Sequence, residues 1–288
     1  MTLPIVPTVP TAVGAAIVLH RLALAVDCVD ATTRRRPRTS VRIGREMPAR
    51  VLPRGYDPAW PCFDLEPRGP GRALVRLNQR TPTRVVLRLV DPARRYVPRR
   101  FDLPLWKLPE ILAADAGATP VPAASRLLRP WLLPGSGASL SRGLTTVRGS
   151  VRDDHDRPVR WARITAVDPG NQPVGWAHAD ERGEFLMVIE DTGTLPPPAP
   201  TELPVRLRAT ARNPARPLPV DPDDPYADLP VEAIGRSSAP PGPADVENDT
   251  MRGRATPVDY LASSTVQPPI SALVGQEFVL TAPIAFTT

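Results

Sequence analysis

Apolar and polar residues alternate along much of the chain in short runs that turn-forming residues separate. The clearest region is 147–189, where Val147, Gly149 and Val151 alternate with polar neighbours. A period of two residues puts successive side chains on opposite faces of a β-strand. Three more apolar runs follow within this region, and the clusters 168–171 and 180–183 between them are rich in turn formers. The pattern predicts a four-stranded β-meander.

The first third of the chain shows the same alternation. Apolar or alternating runs occupy 16–29, 41–43, 72–78, 83–90 and 96–105. Five or six strands within this length are typical of an immunoglobulin-like sandwich. A later run, 203–212, alternates as well and is expected to pair with the meander, and the run 278–286 is expected to form a last strand.

Helix-breaking residues are abundant, because the 288 residues include 40 prolines and 18 glycines. Proline inside a helix costs about 3 kcal/mol, so long helices are excluded. One short helix is expected at 108–114, where Pro109 falls in the first turn and its missing N–H costs little. The predicted fold class is all-β, with two β-sandwich domains joined by long Pro-rich connections.

Composition shifts divide the chain into an arm, a sandwich, a linker and a second sandwich. Residues 1–15 are predicted to be an extended N-terminal arm, 16–105 a basic β-sandwich and 106–142 a linker. Residues 143–288 are predicted to form the second sandwich. It would carry an acidic, Pro-rich insertion at 213–258, because irregular stretches of that length usually act as binding arms or are disordered.

The 147–189 region also carries a family pattern. Its positions are Val147, Gly149, Val151, Asp153, Pro158, Val159, Asp180, Gly183 and Phe185. They resemble the carboxypeptidase regulatory-like domains, which are relatives of the transthyretin (prealbumin) sandwich. The resemblance implies a sandwich over roughly 145–288 and implies no particular activity, because such modules accompany proteins of many functions. One departure is the acidic stretch 153–157, which replaces the usual glycine of the first turn.

Charge is divided unevenly along the chain. Residues 1–144 hold 22 arginines and one lysine against 10 acidic residues, a net charge of +13. Residues 145–288 hold 13 arginines against 20 acidic residues, a net charge of −7. This division would steer association between copies or with a charged partner, or it reflects the fusion of two modules. The dominance of arginine over lysine reflects either a GC-rich genome or bidentate recognition of anions.

Three dense charge groups are the predicted protein–protein interface. They are Arg34, Arg35, Arg36 and Arg38; Arg94, Arg95, Arg99 and Arg100; and Asp221, Asp223 and Asp224. Nucleic-acid binding is disfavoured, because stacking aromatic residues are sparse. Trp161 and Trp176 are expected on adjacent strands, packed together or forming a platform for a sugar ligand.

Catalytic and metal-binding patterns are weak. His178 and Glu181 have the H-x-x-E spacing of a zinc site, but a catalytic zinc needs a third protein ligand. Asp153, Asp154 and Asp156 lack the glycine and distal glutamate of a calcium loop. No nucleophile elbow or phosphate loop occurs, so we expect no enzyme activity, metal or cofactor. Cys28 and Cys62 are either free buried thiols or one bridge.

These patterns favour a non-enzymatic structural or interaction subunit of a larger assembly. A phage-tail-like or contractile-injection particle suits a β-rich, Pro-rich subunit. The alternatives are a glycan- or cell-surface-binding module and an accessory regulator of an enzyme. No stretch has the length of a membrane span, and Pro4, Pro7 and Pro10 stand where a signal peptide has basic residues. A cytoplasmic protein is therefore expected.

Overall fold

Strands arranged in several sheets dominate a computed structural model of the protein. The structure describes residues 22–47, 57–78, 81–117, 120–190, 200–218, 220–235 and 248–288. The predicted all-β class is confirmed. The predicted arm at 1–15 lies outside the described residues.

The N-terminal half contains ten strands and one α-helix among its described residues. They are β1 (Leu22–Asp27), β2 (Val29–Asp30), β3 (Arg42–Glu46), β4 (Cys62–Asp64), β5 (Glu66–Pro67), β6 (Arg72–Arg76), β7 (Arg84–Val90), β8 (Arg99–Pro104), α1 (Leu108–Ala116), β9 (Leu127–Leu128) and β10 (Trp131–Leu132). A short 3₁₀ helix, Ala123–Arg126, precedes β9. The strands predicted at 72–78 and 83–90 and the helix predicted at 108–114 are confirmed.

The C-terminal half continues the numbering. Its elements are β11 (Thr146–Asp153), β12 (Arg163–Val167), β13 (Pro173–His178), β14 (Glu184–Ile189), β15 (Glu202–Arg212), β16 (Val231–Ala233), α2 (Asp249–Arg252), β17 (Tyr260–Ala262), β18 (Ile270–Leu273), β19 (Glu277–Val279) and β20 (Ile284–Phe286). The strands predicted at 203–212 and 278–286 are confirmed as β15 and as β19 with β20.

Two sheets of the N-terminal half face each other around one core, which we call the N-terminal sandwich. Their strand orders are β5-β6-β1-β9 and β16-β8-β7-β3-β4. Val26 and Ala73 of the first sheet pack into the same cluster as Leu87 and Phe101 of the second. Leu87 and Phe101 are completely buried. Each such side chain contributes roughly 1.5–3 kcal/mol relative to an exposed one.

The predicted linker 106–142 instead contributes to the N-terminal sandwich. β9 pairs in parallel with β1, and β10 pairs in parallel with β2. Leu128 and Leu132 are buried in the sandwich core. The prediction missed these strands because each has only two residues, which is too short for an alternating pattern.

One curled sheet of the C-terminal half surrounds the second core. Its order is β17-β15-β12-β13-β14-β11-β19, with β18 also beside β15 and β20 also beside β11. Val151, Phe185, Leu207 and Phe286 share the core, although their strands lie at widely separated places along the sheet. The sheet therefore wraps around its own apolar face.

The four strands predicted in 147–189 are present, but they do not form a simple meander. β12, β13 and β14 pair consecutively, whereas β11 pairs with β14 and not with β12. The turn at Gly183 fixes this arrangement, because its carbonyl accepts a hydrogen bond from the Val151 amide at 2.8 Å. Gly183 has φ +73°, and a Cβ there would lie 2.6 Å from the Val151 oxygen. Only glycine fits this position.

The described parts of the segment predicted as an irregular insertion, 213–258, contact both the N-terminal sandwich and the C-terminal half, where Arg254 lies over Trp176. β16 extends the second sheet by pairing in parallel with β8. Met251 of α2 is buried in the sandwich core. The segment crosses between the halves instead of projecting from one of them.

Both cysteines are buried and free, as one of the two alternatives predicted. Burial raises the pKa of both the Cys28 and the Cys62 thiols to about 12, so they are protonated near neutral pH. In the described part of the chain, no helix is both long enough and apolar enough to cross a bilayer.

Candidate functional site: an arginine cleft

The basic residues singled out in the sequence separate into an exposed group and a buried group. The exposed group comprises Arg34, Arg35, Arg36, Arg38, Arg94 and Arg95, whereas Arg99 and Arg100 are buried and half-buried. The exposed arginines lie on two turns that border an open cleft of about 650 Å³. We call it the arginine cleft. Its lining includes Arg35, Arg36, Arg38, Arg95, Tyr96, Ser139 and Ser141.

Asp30 shapes the first turn. One of its carboxylate oxygens accepts hydrogen bonds from the Thr32 amide (2.8 Å), the Thr32 hydroxyl (2.6 Å) and the Thr33 amide (2.9 Å). The other accepts a bond from the Tyr96 hydroxyl at 2.6 Å. Burial opposes ionisation of Asp30, but these hydrogen bonds outweigh it and lower its pKa. Asp30 therefore stays charged while its oxygens are used within the fold.

Asp91 holds the second turn in the same way. Its carboxylate is buried and accepts hydrogen bonds from the Ala93 and Arg95 amides, both at 3.0 Å. Arg94 adopts a left-handed conformation with φ +56°. Gly135, which follows β10, approaches the backbone of this turn so closely that a Cβ on it would lie 2.5 Å from the Arg94 carbonyl oxygen. The cleft walls are therefore fixed by backbone contacts, while the guanidinium groups remain free of them.

The cleft carries excess positive charge. Its lining contains four arginines and one carboxylate, Asp30, which leaves a net charge of +3. Among the described residues, Arg36 pairs with Asp27 at 3.2 Å, but no carboxylate lies within 4 Å of the Arg38 or Arg95 guanidinium. Guanidinium groups bind carboxylates and phosphates through paired hydrogen bonds. The arrangement is suited to binding an anion.

Tyr96 is the one titratable hydroxyl of the cleft, and it does not supply a base. Burial, together with its hydrogen bond to the Asp30 carboxylate, raises its pKa. Its proton is directed to Asp30, so the hydroxyl serves as a structural donor near neutral pH.

Arg99 belongs to a buried cluster that joins the two halves, which we call the staple. Its Nε donates to Glu232 at 2.9 Å, and its Nη1 donates to the carbonyl oxygens of Trp131 (2.8 Å) and Met251 (2.7 Å). Arg163 of β12 reaches the same glutamate at 3.5 Å. Burial lowers the pKa of Arg163, and Glu232 opposes that shift. Arg99 was expected at an interface with a partner, but in the structure its partners lie within the chain.

Arg100 and Asp224 belong to a neighbouring buried network. Arg88 of β7 pairs with Asp224 at 2.7 Å and also with Glu46. Arg100 pairs with Glu46 at 2.6 Å. Asp224 is therefore used internally, in contrast to the predicted exposed interface. Asp221 and Asp223 are exposed, and the Asp221 carboxylate accepts a bond from the Asp223 amide at 2.9 Å.

The two tryptophans proposed as a ligand platform lie apart and are covered. Trp161 is 3% exposed; its Nε1 donates to Asp228 at 2.9 Å, and its ring contacts Tyr226. Trp176 is half-buried, and the Arg254 guanidinium stacks 3.9 Å above its ring. Trp161 is too buried to contact a sugar, and Arg254 covers one face of Trp176. Among the described residues, Trp161 has its ring contact with Tyr226 and not with Trp176.

The residues considered as metal ligands have structural partners. His178 is buried, and its Nε2 lies 2.7 Å from the Gly253 carbonyl oxygen, while Glu181 pairs with Arg94 at 2.8 Å. Asp153, Asp154 and His155 come close together in an exposed turn. Asp153 there accepts bonds from the His155 amide and from Arg157, as expected of a solvated turn.

Fold and site together define an all-β protein with a cationic cleft. No protein-family model, curated protein or solved structure matches this chain. Conclusions about function therefore depend on the geometry of its own residues.

Sequence reasoning did not single out Asp228 and Glu232, two buried acidic residues that pair with arginines inside the molecule. The denser acidic run at 221–224 is the stronger local signal, but Asp221 and Asp223 in it are exposed. The sequence around Glu232 gives no usable signal. Glu232 stands between Val231 and Ala233, and such alternation predicts an exposed acid, whereas the structure buries Glu232 and exposes Val231.

Proposed function

We propose that the protein is a non-enzymatic interaction subunit of a larger assembly, and that the arginine cleft receives an acidic segment of a partner protein. The observation that carries this proposal is that two cleft arginines, Arg38 and Arg95, face a common opening with no carboxylate among the described residues within 4 Å. Asp91 holds the turn that carries Arg95 in place. Preorganised guanidinium groups lose little entropy when an anion binds.

The ion pairs that acidic residues form inside the molecule support the same proposal. Asp224, Asp228 and Glu232 neutralise arginines inside the molecule. Part of the opposed charge of the two halves is thus neutralised within one chain, through the pairs Arg88–Asp224 and Arg99–Glu232, while the cleft lining keeps a net charge of +3. An acidic partner would be steered to this side, and more strongly at low salt.

For the kind of assembly, we retain a phage-tail-like or contractile-injection particle, made in the cytoplasm and released with the particle. This choice follows an analogy of fold class together with the resemblance of residues 145–288 to carboxypeptidase regulatory-like domains. Binding of an acidic segment in the arginine cleft does not require this kind of assembly.

A fluorescent octaglutamate peptide tests the cleft directly by anisotropy titration. The unmodified protein should bind it, and affinity should fall as salt rises. Charge reversal in R35E/R38E/R95E should abolish binding. The matched control R84E/R157E/R216E makes the same change in net charge at exposed arginines outside the cleft and should retain it. Equal loss in both variants would show a general charge effect and refute the cleft.

The assembly itself is tested by recovering tagged protein from its host at low salt and measuring mass by light scattering. We expect a defined multimeric particle that loses this subunit when the cleft is reversed. Recovery of the monomer alone would refute the assembly proposal, whatever the peptide result.

A further inference from the structure

A second concave site lies on the outer face of the C-terminal sheet. One end of this face is covered, because Arg254 stacks on Trp176 and His178 contacts Gly253. The other end is open and forms a groove of about 620 Å³ along β12 and β15. This volume falls within the range of about 300–1,000 Å³ that small-ligand sites occupy.

One wall of the groove is a loop, residues 263–267, that connects β17 to β18. Its side chains are fastened to the C-terminal strand: the Ser263 hydroxyl donates to the Ala285 carbonyl oxygen at 3.3 Å, and Gln267 Nε2 donates to the same oxygen at 3.2 Å. The Thr265 and Thr287 hydroxyl oxygens are 2.6 Å apart. The wall is therefore held in place before any ligand binds.

The floor of the groove combines arginine with hydroxyl groups. Arg206 and Arg208 are exposed on the same face of β15, two residues apart, and Thr165 lies directly opposite Arg208 on β12. Arg208 donates to the Asn171 side-chain oxygen. Among the described residues, no carboxylate lines the groove and none pairs with Arg206. Apolar surface comes from Pro173 and from Val266, which is 78% exposed.

From this arrangement we propose that the groove binds an acidic saccharide, that is, a sugar chain bearing carboxylate or sulfate groups. The two guanidinium groups would pair with the acidic group. The Thr165 and Thr210 hydroxyls, which line the groove, would bond the ring hydroxyls, and the small apolar patch would contact the C–H face of a ring. Two arginines without a balancing acid explain the preference for an anionic over a neutral sugar.

A peptide strand fits the groove less well. β18 pairs with β15 up to Val205, and β17 pairs with it from Thr210. The Ser263 amide also donates a hydrogen bond to the Ala209 carbonyl oxygen at 2.9 Å. The open edge, 206–208, is shorter than the roughly 5–6 residues of an ordinary strand, so strand addition would gain few main-chain hydrogen bonds.

Saturation-transfer NMR and calorimetry would test this with three tetrasaccharides: tetragalacturonate, a sulfated chondroitin tetrasaccharide and uncharged maltotetraose. We expect the protein to bind at least one of the two acidic chains at least about tenfold more tightly than maltotetraose. The better of the two identifies the acidic group. Equal binding of all three, or none at millimolar concentration, would overturn the proposal.

Paired variants separate this groove from the arginine cleft. R206Q/R208Q should weaken acidic-saccharide binding at least about tenfold and leave octaglutamate binding unchanged. R35Q/R38Q removes the same charge from the cleft and should do the reverse. Near-UV circular dichroism checks that both variants are folded. Retention of saccharide binding by R206Q/R208Q would refute the groove, even if the cleft is confirmed.

Discussion

Arg95 and Arg99 lie four residues apart in the chain but have different environments. Arg95 is exposed at the cleft with no acidic partner among the described residues, whereas Arg99 is completely buried against Glu232 and three carbonyl oxygens. The difference does not arise from the residue type. It arises from the pairing of β16 with β8, which brings Glu232 to Arg99, whereas no carboxylate among the described residues pairs with Arg95.

The comparison shows how the same side chain serves stability in one place and recognition in another. A buried guanidinium has lost its hydration, so it must have anionic and carbonyl partners at all times. An exposed guanidinium is hydrated and can exchange water for a ligand at small cost. Four predictions follow this contrast from its largest expected effect to its smallest.

Glu232→Gln should cause the largest loss of stability. The substitution keeps the shape but leaves Arg99 and Arg163 buried without an anion, and breaking a buried pair costs about 3–5 kcal/mol. Urea unfolding would measure the loss. Glu277→Gln is the matched control, because its partner Arg148 is partly exposed and such pairs contribute about 0–1 kcal/mol. Equal effects would show that the staple is not the dominant contact.

Asp228→Asn should have an intermediate effect. Asp228 accepts two hydrogen bonds from Arg160, at 2.6 and 2.8 Å, and one from Trp161 Nε1. Asparagine retains one acceptor but removes the charge, so we expect a loss of about 1–3 kcal/mol and a changed tryptophan emission spectrum. Asp154→Asn, in an exposed turn, is the control. An unchanged unfolding midpoint for Asp228→Asn would contradict this role.

Local chemistry made much of the fold predictable. β15 alternates apolar and polar residues along most of its length, and β6 and β7 are short apolar runs next to arginines. The turns at Asn171 and Gly183 contain residues that tolerate positive φ. These signals act within a few residues. A single sequence is enough to detect them.

Long-range pairing was not predictable in the same way. The pairing of β11 with β14 depends on contacts between distant segments, and alternation is compatible with either order. β9 and β10 have two residues each, and β16 has three, so their strand state comes from the partners that they meet. Tertiary context overrides weak propensity in such short strands.

The candidate site was half predictable. Runs of arginine at 34–38 and 94–95 indicated an exposed basic surface, and the structure places both on one cleft. Nothing local distinguished Arg95 from Arg99. That distinction required knowledge of where Glu232 lies, 133 residues away from Arg99 along the chain.

The pH dependence of stability should report the hydrogen bonds that Asp30 makes beneath the cleft. Its pKa is lowered in the folded state from an ordinary value of 3.8, so the unfolded chain takes up the proton first as pH falls. The stabilisation is complete above about pH 5 and is lost as pH falls through the lowered folded pKa. Asp30→Asn should be less stable than the unmodified protein at pH 7, and the gap should narrow towards pH 2. A gap independent of pH would contradict this assignment; urea unfolding across the pH range measures it.

The smallest effect on stability is expected from R35Q/R38Q/R95Q, although this variant removes three positive charges. No described carboxylate lies within 4 Å of Arg38 or Arg95, and their side chains are exposed, so the unfolding free energy should change by no more than about 0.5 kcal/mol. Relief of repulsion between like charges gives any residual change a stabilising sign. Urea unfolding of this triple variant beside Arg99→Gln completes the contrast, because the single buried substitution should cost more than all three exposed ones. A loss above about 1 kcal/mol in the triple variant would mean that the cleft arginines hold the fold together, and the distinction between recognition and stability would fail.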